Sequence, residues 1–180
     1  SEEARAGGAE VLRHVANMGV GFATVTGNEY AVRKGFDVIV NLDSDGQHSA
    51  KSLPLGLELL QKENLDILLG SRFLKTTERF PLTLKLGNKF LTLMDKALFG
   101  SNISDTQSGF RILTKDAWKK LEPESNGYEI CSEIAKEIGI RKLKYKEIPI
   151  DTIYLDEFKG ATILDGIRIF SNMVWWWIKK

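Results

Sequence analysis

Two aspartates separated by one residue, Asp43 and Asp45, end the run FDVIVNLDSDG at residues 36–46. The run is apolar and β-branched as far as Val40 and polar from Asn41 onward, which predicts a buried strand opening into a turn. Side chains alternate along a strand, so residues 43 and 45 are aimed to the same side. Two carboxylates about 5 Å apart repel by roughly 3 kcal/mol at an effective dielectric near 20. A cation between them removes that repulsion, and oxygen ligands with room for water and phosphate suit Mg²⁺ or Mn²⁺. The alternative is a solvated Asp-Gly turn.

Two rival motifs fit less well. An EF-hand loop needs acidic groups at its first, third and fifth positions and Gly at the sixth, and Gly46 arrives too early. A haloacid dehalogenase-type phosphatase also places Asp-x-Asp-Gly after a strand. It follows the Gly with Thr, where this chain has Gln47.

A second apolar run, LDILLGS at 65–71, is followed by Arg72, which is expected to project into the same crevice as the aspartates. Arg79, Lys85 and Asn88 come soon after. Guanidinium groups beside a metal site suit phosphate oxygens because Arg presents a planar fork of donors. Ser104–Arg111 (SDTQSGFR) is dense in polar groups and could equally be a capped turn. Asn17-Met18-Gly19 opens a helix at 19–35, where phosphate approach and plain turn chemistry are both open. Thr24 stands at the third glycine's place of a dinucleotide fingerprint, so that site is not expected. His14 and His48 are isolated, with no carboxylate partner in the pattern.

These candidates need elements to hold them. A short strand is expected at 10–15, helices at 19–35, 50–63, 81–99, 114–121 and 127–139, an extended stretch at 105–113, and a long alternating strand at 141–154. Leu86, Phe90, Leu93, Met94 and Leu98 fall along one side of the 81–99 helix. The alternation predicts an α/β domain with a mostly parallel sheet, ligands lying beyond the carboxyl ends of its strands. The tail, 163–180, has Ile163, Ile167, Phe170, Val174 and Trp177 at helical spacing and ends WWWIKK. That fits an interfacial membrane anchor, with indoles in the headgroup zone and lysines toward anionic lipid. It fits a helix packed on the domain as well.

With 180 residues the chain has the size of one domain. Its net charge of +1 lacks the basic excess of a nucleic-acid binder. Cys131, the single cysteine, makes no internal disulfide, which favours a reducing compartment. No run approaches the ~20 apolar residues of a membrane span. The expected location is cytoplasmic and peripheral, touching a membrane only from its surface.

Taken together, DSDGQH, GSRF, LGNKF and SDTQSGFR, in this order and spacing, resemble family 2 glycosyltransferases of the GT-A fold, in the dolichyl-phosphate mannose synthase-like branch. The resemblance runs from about Ala4 to the C-terminus and implies a GT-A (Rossmann-like) catalytic domain over 1–160, partial at its N-terminus because the family's opening strand falls before Ser1. Residues 161–180 form a separate amphipathic, Trp-rich helix. It further implies metal ligation by Asp43, Asp45 and Gln47, and catalytic roles for Asp45, Arg72 and Asp105. Arg72 faces the phosphates, and Arg79 and Lys85 serve the acceptor phosphate, though Leu84 stands where an arginine is common. Gln107 and Arg111 belong with Asp105 to the acceptor-side motif, and Tyr128 and Glu129 line the cleft. Of the family's Arg-x-x-Gly-x-Ser-Lys diphosphate element only Lys159 and Gly160 correspond. Asn17, Gly19 and Asn88 complete the expected substrate-binding set.

The implied reaction is metal-dependent, inverting transfer of a sugar from a nucleotide-diphosphate sugar to a polyprenyl phosphate. A phosphate monoester with a second pKa near ~6 is already nucleophilic at neutral pH, so no general base is required. A non-catalytic relative that keeps the fold is the alternative.

Overall fold

The computed structural model describes residues 2–43, 49–74, 82–151 and 162–179. In chain order these form α1 (Glu2–Ala6), α2 (Gly19–Arg33), β1 (Val38–Asn41), a 3-10 turn (Ala50–Ser52), α3 (Leu53–Lys62), β2 (Ile67–Ser71), α4 (Leu82–Phe99), β3 (Arg111–Thr114), α5 (Lys115–Leu121), α6 (Ile130–Arg141), β4 (Tyr145–Pro149) and α7 (Ile163–Ile178).

The four strands lie in the order β1-β3-β2-β4. The α/β class is as expected, but the sheet is mixed. β3 runs antiparallel to both β1 and β2, while β2 and β4 are parallel. Three strands therefore share one direction and the fourth is reversed between them. The reversal brings residues 104–110, which precede β3, to the same end of the sheet as the residues that follow β1 and β2. Register is set by alternation. Ile39, Ile67, Leu69 and Leu113 face Trp118 of α5 and Ile130, Ile134 and Ile138 of α6. Leu68, Ile112 and Ile148 face Leu60 of α3 on the other side. A third core joins α4 and α7 through Leu91, Phe99, Ile169 and Met173.

Several expectations change. Residues 10–15 form no strand; no sheet edge receives them, and they lie along α2, where His14 Nε2 meets Thr26 Oγ1 at 2.9 Å. The 36–41 run is not wholly buried: among the described residues β1 has a neighbour on one side only, and within it Ile39 alone is buried. Phe36, Val40 and Leu42 remain exposed beside the free edge. The stretch 105–113 is strand only from Arg111, and the 141–154 strand spans only Tyr145–Pro149. On α4 the stripe Leu86, Phe90 and Leu93 faces outward, while Leu91, Asp95 and Phe99, spaced four apart, face inward. On α7, Ile169 and Met173 are buried, whereas Ile167 and Trp177 are exposed. Both helices carry more apolar surface than one contact can cover, so spacing could not say which stripe would be buried.

Candidate active site

The site is built around the segment 104–111, which the fold fastens residue by residue. Glu147 of β4 accepts from the Ser104 amide at 2.9 and 3.0 Å and from its hydroxyl at 2.7 Å. Ser71, the last residue of β2, meets the Ser104 hydroxyl at 2.7 Å. Asp105, its side chain wholly buried, receives Nε and Nη2 of Arg72 at 2.7 and 2.8 Å and the Arg72 amide at 3.1 Å. This paired, planar geometry holds a guanidinium in one orientation. Thr106 and Thr92 of α4 share a hydroxyl contact of 3.2 Å. The Gln107 side-chain amide donates to Ser132 Oγ of α6 at 2.7 Å and to Thr106 Oγ1 at 3.2 Å.

Gly109 supplies the link to the acidic motif. A Cβ at this position would lie 2.5 Å from Asp43 Oδ2 and 2.7 Å from Oδ1. The carboxylate following β1 thus occupies the space a side chain would fill at 109. Glycine is required here for close approach rather than for an unusual dihedral. One segment therefore touches Asp43 at one end and grips Arg72 at the other. At the end of β1, Asn41 and the buried Asn28 of α2 exchange amide hydrogen bonds at 2.7 and 3.3 Å.

The other expected residues fall as follows. Arg111, in β3, is buried and lines a small cavity with Asp105, Thr106 and Ser108. Lys85 is exposed and Asn88 half-buried on α4. Asp45, Gln47, His48, Arg79, Lys159 and Gly160 lie outside the described residues. Tyr128 is exposed, while Glu129 is buried and pairs with Arg168 of α7 at 3.1 Å. Asn17 accepts from the Gly19 amide at 3.0 Å. Cβ atoms at Gly19 and Gly21 would collide with the backbone of Ser125 and Asn126, and the Gly21 amide donates to Asn126 O at 2.9 Å. Packing against 125–126 thus explains both glycines, the plain structural alternative at this helix start. Buried Glu133 holds that turn by accepting from the amides of Glu124 and Ser125.

Sequence reasoning missed Glu147, Ser132 and Asp95. Their one signal was a polar residue at an inward position of an otherwise apolar pattern, as Asp95 is in LTLMDKALF. Among the described residues no three His, Cys, Asp or Glu side chains cluster as a metal cage. The oxygen donor set of the acidic motif and the space that Gly109 leaves for Asp43 nonetheless fit a hard divalent cation.

The sequence pattern of Glycosyl transferase family 2 matches residues 2–122. The UDP-N-acetylglucosamine–dolichyl-phosphate N-acetylglucosaminyltransferase of Methanococcus voltae is 35% identical over 169 residues, covering 91% of this chain and 67% of that protein. The polyprenol monophosphomannose synthase of Mycolicibacterium smegmatis is 26% identical over 168 residues, covering 91% and 62%. Glucosyl-3-phosphoglycerate synthase from Mycobacterium tuberculosis, solved with UDP, superposes with a TM-score of 0.65 at 16% identity, over 96% of this chain and 62% of that one. That likeness establishes the fold, and the family match with the 35% relative establishes that the chain belongs to glycosyl transferase family 2.

Proposed function

We propose that the chain transfers a sugar from a nucleotide-diphosphate sugar to a polyprenyl phosphate at a membrane surface. The carrying observation is the convergence on 104–111: Gly109 lies under Asp43 while Asp105 orients Arg72. Relatives named for polyprenyl-phosphate sugar transfer support the substrate class. Asp43, with Asp45 and Gln47 next in sequence, would hold Mg²⁺ or Mn²⁺, which supplies charge neutralisation for the departing diphosphate. Arg72, fixed by Asp105, presents its guanidinium to phosphate without rotamer search. An oxygen of the acceptor phosphate attacks the anomeric carbon as the bond to the diphosphate breaks, and the leaving group takes the electron pair. Configuration inverts. Positioning and preorganised charge carry the catalysis.

The outer surface of α4 and α7 fits the lipid side of this reading. Leu86, Phe90 and Leu93 on α4 and Leu164, Ile167, Trp175 and Ile178 on α7 are exposed, and Phe90 contacts Phe170 with ring centroids 5.4 Å apart. Lys85, Lys89 and Lys96 are exposed on the stripe beside the α4 residues. Apolar side chains flanked by lysines match an anionic bilayer surface. No helix among the described residues is long and apolar enough to cross a membrane. The free edge of β1, with apolar Phe36 and Val40 beside it, fits a further strand completing the domain; the second reading, a fold-retaining non-catalytic protein, would hold if that edge stays bare.

The deciding experiment measures thermal unfolding with UDP or GDP and Mn²⁺, followed by transfer from UDP-N-acetylglucosamine or GDP-mannose to dolichyl phosphate in anionic vesicles. Ligand at about 100 times its Kd stabilises by about 2.7 kcal/mol. Transfer that needs Mn²⁺ supports the proposal; no stabilisation and no transfer with either nucleotide would reject it.

A further inference from the structure

Asp95 is a carboxylate that the scheme above does not use. It sits on the inward stripe of α4 and is 0% exposed. Both its oxygens lack a hydrogen bond of normal geometry, yet the hydroxyls of Ser132 and Thr106 are close enough to favour its charged form. These two hydroxyls are also the ones that receive the Gln107 side-chain amide, and Thr92, one turn back on α4, touches Thr106 as well. The carboxyl therefore lies beneath the residues that follow Asp105.

A buried carboxylate without a cation is costly, and a carboxyl in that position holds its proton instead. The charged groups on neighbouring elements are engaged elsewhere. Glu129 binds Arg168, Glu133 takes the amides of 124 and 125, Lys136 pairs with Glu137, and Asp105 holds Arg72. Arg111 and Cys131 line the small cavity with Thr106. None of these contributes to the balance at Asp95, where burial outweighs the two hydroxyls and pushes the carboxyl up to about 8.

We propose that Asp95 is an uncharged positioning residue whose carboxyl, buried beneath Ser132 and Thr106, supports the turn bearing Asp105 and Gln107. The importance of that turn for transfer rests on the function proposed above; its placement does not, and is tested separately.

The folded-state pKa is raised, so between about pH 4 and pH 8 the open turn has lost a proton that the closed turn keeps. Closure weakens as pH rises through that window and levels off above pH 8. Opening of the 105–108 turn should then increase about fifty-fold between pH 6 and pH 8. Residue-resolved hydrogen exchange on the whole chain, corrected for intrinsic base catalysis, measures this directly. Asp95→Asn, neutral at all pH, should hold the change within about two-fold. The same pH dependence in both proteins would overturn the proposal, as would equal acceleration of the β2 and α6 amides. Carbon-13 NMR of the wild-type Asp95 carboxyl needs no variant: titration near 8 supports the proposal, and titration near 4 refutes it. Where transfer is measurable, Asp95→Asn should flatten the alkaline fall of the wild-type rate. Absence of transfer in the wild type counts against the proposed function alone, because the exchange and titration results still decide the role of Asp95.

Discussion

The ends of β1 and β2 are built in opposite ways, although both feed the same site. All five residues of β2 are buried between β3 and β4, and Arg72 emerges directly into a two-pronged ion pair with a wholly buried aspartate. β1 is an edge strand with one buried residue, and Asp43 is received through an absence, the missing side chain of Gly109. Arg72 is thus set by the interior of the protein, whereas the acidic motif rests on a surface edge. Disturbing the first should damage the fold; disturbing the second should damage chemistry and leave the fold intact.

The largest expected effect separates them most sharply. Asp45→Ala should lower Mn²⁺-dependent transfer by about 10³-fold, the scale of losing charge stabilisation at a leaving group, with the melting temperature unchanged. A large drop in melting temperature would erase the contrast. Asp105→Ala should destabilise by about 1.5–3 kcal/mol in urea unfolding, because it removes a wholly buried carboxylate that takes two bonds from the partly exposed Arg72 guanidinium; a loss below ~1 kcal/mol would place the pair in the class of exposed pairs. Gly109→Ala tests the junction of the two ends. It should reduce transfer about 10²-fold by displacing Asp43, at a stability loss of about 1–3 kcal/mol from overpacking. Parallel assays of Mn²⁺ affinity and unfolding would separate the two effects.

The smallest expected effect lies away from both ends. α7 begins with a reciprocal cap in which Thr162 Oγ1 accepts from the Asp165 amide and the Asp165 carboxylate accepts from the Thr162 amide. Thr162→Ala should remove about 1 kcal/mol. The Thr162 amide and hydroxyl hold the Asp165 carboxyl below its ordinary value of 3.8. The cap's contribution is therefore present above that value and lost as pH falls below it, which low-pH unfolding in wild type and variant would show.

How much of this was legible in the residues depends on whether a feature is local. The strand signal at 36–41, the helix at 19–35 and the buried run at 65–71 are local patterns, and β1, α2 and β2 formed within them. The partner of Gly109, Asp43, is 66 positions away in the chain, and no spacing rule connects them. The stretch 10–15 had strand-like residues but lies along α2, through His14–Thr26 and Glu10–Tyr30, and pairs with no strand. For α4 and α7 the periodicity was correct but left the inward stripe open, since each offers two apolar stripes and only packing against each other selects one.

Residue types and spacing by themselves determined the groups available here: the carboxylates after the first strand, the guanidinium after the second, and an alternating α/β chain to carry them. Only the tertiary structure decided that β3 runs backward through the sheet, which is what sets 104–111 between the ends of β1 and β2. It alone placed Asp95 beneath that segment. The reason is physical: patterning fixes which faces seek burial, whereas the partner each buried polar group meets depends on long-range packing, which no local pattern encodes.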